Sequence, residues 1–398
     1  MALDLARQTV ARWHSPHLDH AQLLAAAGIE AVILEQPDEA FSRAAAARGI
    51  ETLPAAAAAG VSTEGLWPGI RNGEGGRRRR DEDVASASRE PWVDANGFRI
   101  ACERALHPER PAVLGYRFQE KDRVVPFETL ECGLIEARVG GGNYLLDVEP
   151  RYRAALLAGD AKAKEAWQSL GRTVAWLRKN AGLFGRPVIP AITVLVERGY
   201  SMDEIANLLY RRNGSPSIRS AAAPPKPDPA RIQVLVAAAL RSVPPAAWEH
   251  AAAGATVVTD AKPKPEWKLL KKEEDRSVYA AGKGQVVAYH SEIVDPSEFA
   301  LDVIDILTHR RRAARIWNAN SAIAVATEGA GPGESLLHIV NYGRPVEEVQ
   351  GRIQGHFSSA VALRPEAPDT DLKVYRRGTT SEVFVPGLMR VATVRFRV

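Results

Sequence analysis

The chain has 398 residues, 45% of them hydrophobic and 25% charged, with 52 Lys and Arg against 48 Asp and Glu. At about 100–200 residues per domain this predicts two to four domains with cores of their own; it excludes wholesale disorder and, with no uncharged apolar run of about 18 residues, a membrane span. The net charge of +4 is matched by the single run at residues 77–80, so nothing points to nucleic acid, and Cys102 and Cys132 alone exclude a disulfide scaffold or a Cys-rich zinc site while leaving one bridge open.

Residues 1–9 carry no basic-then-apolar signal pattern, which fits a cytosolic protein or one whose leader has been removed. Residues 19–27 then read as a helix stopped by Gly28, and residues 31–34 as an apolar strand ending at Glu35. Asp38 caps a helix over 39–48, followed by a strand over 50–53. Helices at 96–106, 127–139 and 161–183 alternate with strands at 112–117 and 143–148. Strands alternating with helices in this way predict parallel βα units. Counting about seven or eight strands, the reading is a shortened TIM-like (β/α) barrel over residues 1–184, against about 250 residues for a full one.

A second α/β unit, residues 185–312, has strands at 191–197, 216–219, 232–240 and 256–259 and helices at 202–212 and 246–254. The pattern is doubly wound and flavodoxin-like. A β extension over 268–290 turns at Gly282-Lys283-Gly284, and a helix over 296–311 ends in basic residues. From residue 316 the pattern has period two. Runs at 322–327, 335–341, 349–357, 372–376, 381–385 and 391–398 predict an antiparallel β-sandwich over 313–398.

In a barrel the active site lies at the C-terminal ends of the strands. Those ends supply Trp13, His14, Glu35, Trp67, Arg71, Arg89, Glu90, Trp92, Asp94, Asn96, Tyr116, Arg117, Asp147 and Glu149. Aromatic faces stack on a pyranose while carboxylates, Asn and Arg bind hydroxyls, so carbohydrate is the expected partner. Glycoside hydrolysis needs one protonated carboxyl and one carboxylate, and Glu90, Glu35 and Asp147 are the best-placed acids. Each has a structural alternative. Glu35 can hold the next helix N-terminus, Glu90 can pair with Arg89 or Arg71, and Asp147 can cap the helix after Pro150. Asp94 and Asn96 can serve as caps, and Trp67 and Trp92 can simply pack. In the C-terminal unit Trp317 and Tyr342 can stack on sugar or plug an interface.

His14, His17 and His20 recur every three residues, which raises a metal-dependent hydrolase as a third reading. Pro16 breaks that spacing, so no metal and no cofactor are expected. The run at 77–80, followed by Asp81-Glu82-Asp83, reads as a loop or lid over the barrel mouth.

Several phrases strengthen the carbohydrate reading: Gly65-Leu66-Trp67-Pro68-Gly69, Arg89-Glu90-Pro91-Trp92-Val93-Asp94-Ala95-Asn96, Gly141-Gly142-Asn143-Tyr144, Gly282-Lys283-Gly284-Gln285-Val286 and Leu337-His338-Ile339-Val340-Asn341-Tyr342. Together with the layout, they resemble multidomain glycoside hydrolases of the β-galactosidase type. In that family a catalytic barrel precedes a glutamine-amidotransferase-like domain and a β-sandwich. The resemblance implies a carbohydrate-directed hydrolase, and self-assembly through the middle domain. Two departures stand against a direct transfer of catalysis. No Asn-Glu pair ends a strand, and no cysteine lies between residues 185 and 311, so the middle domain lacks an amidotransferase nucleophile. A non-catalytic relative that binds glycans or serves in assembly is therefore the alternative to an active enzyme.

Overall fold

The computed structural model describes residues 7–58, 61–65, 67–70, 93–116, 125–198, 203–293 and 295–398. Its first sheet is built from β1 (Val10–Arg12), β2 (Ala31–Leu34), β3 (Glu51–Pro54), β4 (Ser62–Gly65), β7 (Val113–Tyr116) and β8 (Asn143–Asp147), while the short pair β5 (Gly69–Ile70) and β6 (Val93–Asp94) stands apart. The intervening helices are α1 (His20–Ala26), α2 (Glu39–Ala46), α3 (Gly97–Leu106), α4 (Thr129–Val139), α5 (Pro150–Leu157) and α6 (Ala161–Lys179).

All ladders of this sheet are parallel, in the order β3-β2-β1-β8-β7-β4. Its first strand in the chain, β1, pairs with both the second, β2, and the last, β8. Among the described residues no ladder joins β3 to β4, and six of the eight strands β1–β8 join this sheet. Successive side chains face opposite ways, as the period of a strand demands. Ala11, Val32, Leu114, Tyr144 and Leu146 pack under the helices. Val10, Ala31, Ile33, Val113 and Leu145 form a separate cluster with Leu53 and Val61, to which no α-helix contributes. That face of the sheet packs on itself.

The second sheet uses β9 (Ile192–Val196), β10 (Ser217–Ser220), β11 (Val234–Val236), β12 (Thr256–Thr259), β13 (Lys268–Lys272), β14 (Arg276–Ala281) and β15 (Gly284–Tyr289). Its order is β10-β9-β11-β12-β15-β14-β13, with only the last two ladders antiparallel. The five parallel strands thus follow the 2-1-3-4-5 order of a doubly wound sheet. Helices α7 (Asp203–Arg211) and α9 (Pro296–Arg311) pack on one another, and α8 (Pro245–Ala253) packs on β12 and β15. The predicted strand at 232–240 shrinks to three residues, because the backbone turns to a positive φ at Ala239 and the Ala239 N–H goes to the Asp260 carboxylate.

Nine antiparallel strands complete the chain: β16 (Ala314–Trp317), β17 (Ala322–Glu328), β18 (Glu334–Asn341), β19 (Val346–Gln354), β20 (Ser359–Arg364), β21 (Ala367–Leu372), β22 (Tyr375–Arg377), β23 (Thr380–Leu388) and β24 (Val391–Arg397). They form sheets β16-β19-β23-β22 and β17-β18-β24-β20-β21. The sheets approach closely where Gly351 leaves room, since a Cβ there would lie 2.9 Å from a Leu337 methyl carbon. The outer edge of β17 is covered rather than open. Asn213 Oδ1 and Ser215 Oγ accept its Ala324 and Ala326 N–H groups at 2.6 and 3.0 Å, which removes a free edge from the surface.

A buried carboxyl ties the first unit to the last. Glu136 on α4 is fully buried, and it accepts hydrogen bonds from Asn96 N (2.8 Å), Asn96 Nδ2 (2.7 Å) and Tyr342 Oη (2.8 Å). Tyr342 therefore plugs an interface and does not face a ligand. Trp317 is only partly buried and carries Arg315 and Arg352 over its ring at 4.6 and 5.3 Å. Cys102 and Cys132 are both buried and not joined to each other, which closes the question of a bridge. Among the described residues no helix is long and apolar enough to cross a membrane.

Burial pushes the Glu136 carboxyl up to about 7, against the opposing pull of its hydrogen bonds from Asn96 and Tyr342. The folded state therefore keeps a proton that the unfolded chain loses near pH 4.5. Stability from this group is complete below that pH and is lost as pH rises to about 7, by an amount on the order of 3 kcal/mol. Urea unfolding at pH 4.5, 6 and 8 should show this fall in the wild type and a flatter profile in Glu136→Gln. Equal slopes in the two proteins would refute the assignment.

Candidate functional site

Three neighbouring strands, β2, β1 and β8, bring their C-terminal ends together. Arg12 ends β1 and lies in register with Asp147, the last residue of β8. Trp13 and His14 follow β1 directly, and Glu35 follows β2. Parallel pairing thus places two acids, a histidine and an arginine at one level. Arg12 Nη1 donates to Asp147 Oδ2 at 2.9 Å. His14 Nδ1 lies 3.0 Å from Glu35 Oε1, and its Nε2 lies 3.5 Å from Asp147 Oδ1, a long contact. Asp147 is 1% exposed at its side chain, Glu35 64%. One imidazole therefore separates the two carboxyls, which puts them within about 9 Å, inside the span used by glycosidase pairs.

The environments of the two acids differ. Burial pushes the Asp147 carboxyl above its ordinary range, partly offset by the charges of Arg12 and His14. The turn that presents His14 is conformationally costly: Ser15 has φ 44°, in the left-handed region, directly before Pro16. Arg153 Nη2 donates to the Ser15 carbonyl at 2.9 Å and steadies it. Arg153 also lies over the Trp13 ring, 5.2 Å from its centroid.

Not every residue expected at the strand ends is found there. Trp13 is wholly buried, its Nε1 donating to His20 Nδ1 at 3.1 Å, and its ring packs toward Trp167. It is a core residue because the strand direction turns its side chain under the helices. Asn96 is also wholly buried and serves Glu136 rather than a ligand or a helix cap. Glu149 caps α5 by accepting the Tyr152 N–H at 2.9 Å, which is the cap role considered for Asp147. Trp67 is half-buried against the core. Arg71, Arg89, Glu90, Trp92 and Arg117 lie outside the described residues, as do the run at 77–80 and the side chain of Tyr116, whose backbone ends β7.

The histidines do not converge. His20 Nδ1 accepts from Trp13 and from the His17 N–H, and His17 faces Asp19 at the surface. Among the described residues no three His, Cys, Asp or Glu side chains form a group able to hold a metal ion. Arg12 and Arg153 are the site residues that the sequence reading missed. A cation closing a strand at the level of an acid on its partner strand was the available signal for Arg12; Arg153 had none short of the fold.

No family model and no curated protein matches the chain. Among solved structures it is similar to α-L-fucosidase isoenzyme 2 from Paenibacillus thiaminolyticus, with a TM-score of 0.51 at 11% identity over 96% of this chain and 79% of that one. It also aligns with the β-galactosidase from Bacillus circulans sp. alkalophilus (TM-score 0.49, 10% identity, 76% of this chain and 58% of that one). A rhamnosidase from Novosphingobium sp. PP1Y aligns at TM-score 0.48 and 12% identity over 95% of this chain and 38% of that one.

Removal of Arg12 should leave the buried Asp147 charge without its closest partner, so Arg12→Gln is expected to cost about 3 kcal/mol. Glu35→Gln breaks only an exposed contact and should cost less than about 0.5 kcal/mol. Chemical denaturation of the two variants measures the difference, and equal losses would mean that Asp147 is not held as described. The likeness to solved structures is one of overall fold, shared with that fucosidase.

Proposed function

We propose that the protein is a carbohydrate-directed relative of the glycoside hydrolases, built as a shortened (β/α) barrel (residues 1–184), an amidotransferase-like α/β domain (185–312) and a β-sandwich (313–398). The pairing of β1 with both β2 and β8, and the apolar cluster on the helix-free face of the first sheet, support the barrel. The observation that carries the site is the row Glu35–His14–Asp147–Arg12 at the ends of three adjacent parallel strands. In this reading Glu90 supplies the proton to the leaving group, and Glu35 or Asp147 acts as nucleophile or base. Trp67, Trp92, Arg71, Arg89, Tyr116 and Arg117 would contact sugar, whereas the buried Trp13 and Asn96 drop out of the contact set.

A second reading, a non-catalytic relative that binds glycans or serves in assembly, draws support from the state of Asp147. Its carboxylate is engaged by Arg12 and shielded from solvent, which suits a structural ion pair better than a free nucleophile. A screen of nitrophenyl glycosides and plant polysaccharides tests the first reading, with wild type beside Glu90→Gln, Glu35→Gln and Asp147→Asn. Turnover that falls about 100-fold or more in Glu90→Gln and in one of the other two supports hydrolysis. Absence of turnover on every substrate, with retained glycan binding, supports the second.

A further inference from the structure

A cavity of about 370 Å³ opens where the first unit, the second sheet and the C-terminal sheets meet, and it shares no residue with the strand-end row. That volume is ample for a small organic ligand. Helix α3 forms one wall, with Phe98, Ala101 and Arg104, and the outermost strand of the second sheet, β10, forms another, with Ser217, Ile218 and Arg219. Arg186, in the connection between the first two sheets, closes a third side. Three guanidinium groups therefore surround one space. Among the described residues lining it there is no carboxylate.

These cations are not neutralised elsewhere. Arg104 donates to the Gly140 carbonyl at 2.8 Å and Arg186 to the Gly329 carbonyl, so each meets a neutral acceptor. Arg186 Nε is buried without a hydrogen-bond partner. Arg219 is exposed and unpaired among the described residues. Burial and the charge of Arg219 both hold the Arg104 guanidinium below its usual pKa, a sign of like charges crowded together.

Tyr210 on α7 also lines the cavity, but its hydroxyl has no exposed surface and packs against Gly97 on the side of Glu136. Gly97 makes this placement feasible, because a Cβ there would stand 2.0 Å from the Tyr210 oxygen. The first turn of α3 is not itself the anion site, since Glu136 already accepts the Asn96 N–H beside it.

We propose that this junction cavity binds a small organic phosphate ester, with the phosphoryl group held by Arg104, Arg186 and Arg219 and the organic part against Phe98, Ala101 and Ile218. A phosphate monoester brings close to two negative charges and three acceptor oxygens, which matches guanidinium forks better than the single charge of a carboxylate.

Titration calorimetry on the full chain tests this with glucose 6-phosphate, glucose and glucuronate as probes. Saturable binding of glucose 6-phosphate is expected, weakened by rising salt and displaced by inorganic phosphate, with glucose and glucuronate weaker by about tenfold or more. Arg219→Gln breaks no other contact and should fold normally while losing about tenfold in affinity, as should Arg104→Gln. Absence of saturable binding, glucose or glucuronate binding as tightly, or unchanged affinity in Arg219→Gln and Arg104→Gln overturns the proposal.

Discussion

The pairing of β1 with β8 is the constraint on which the first unit depends. These strands are separated by more than a hundred residues, yet Arg12 and Asp147 stand in register and close an ion pair. Because β1 also pairs with β2, the same short strand fixes Glu35 relative to Asp147 and leaves His14 between them. Three residues of β1 thus place the row of polar groups. A shift of one position would turn Val10 out of the inner cluster and Ala11 into it, and would break the alignment of Arg12 with Asp147 at the same time.

The alternation of strands and helices was legible in sequence because each apolar run was short, β-branched and bounded by Gly or by a capping acid such as Asp38, whose side chain does accept the Phe41 N–H. The doubly wound second sheet and the antiparallel final region were legible for the same reason. What escaped was anything set by direction rather than by spacing. Trp13 stands beside His14 in sequence, but the two side chains leave the strand end in opposite senses, one into the core and one into the opening. Asn96 looked like a cap because it precedes a helix. Its amide was claimed instead by Glu136, forty residues on, a partner that no local pattern can reveal. Helix α4, legible in sequence only as a helix over 127–139, is buried along almost its whole length, Glu131 and Glu136 included.

Several buried polar groups meet where the three sheets come together. Glu136 draws donors from α3 and from the loop after β18, while Asn213 and Ser215 of the second unit satisfy the edge of β17. Such hydrogen bonds contribute modestly when made and cost more when one partner is missing. The junction therefore favours one relative arrangement of the three units over alternatives in which these groups would be buried alone.

The position of β24 has a consequence for how the chain assembles. It lies between β18 and β20 in the five-stranded sheet, with ladders to both. A ribosome delivers residues in order, so β17, β18, β20 and β21 emerge with no central strand to unite them. Until residues 391–397 arrive, β18 has a bare edge on the side that β24 will fill. During that interval the nascent sheet is a template for any extended segment that meets it first, and a chaperone that shields such edges would act on this stretch.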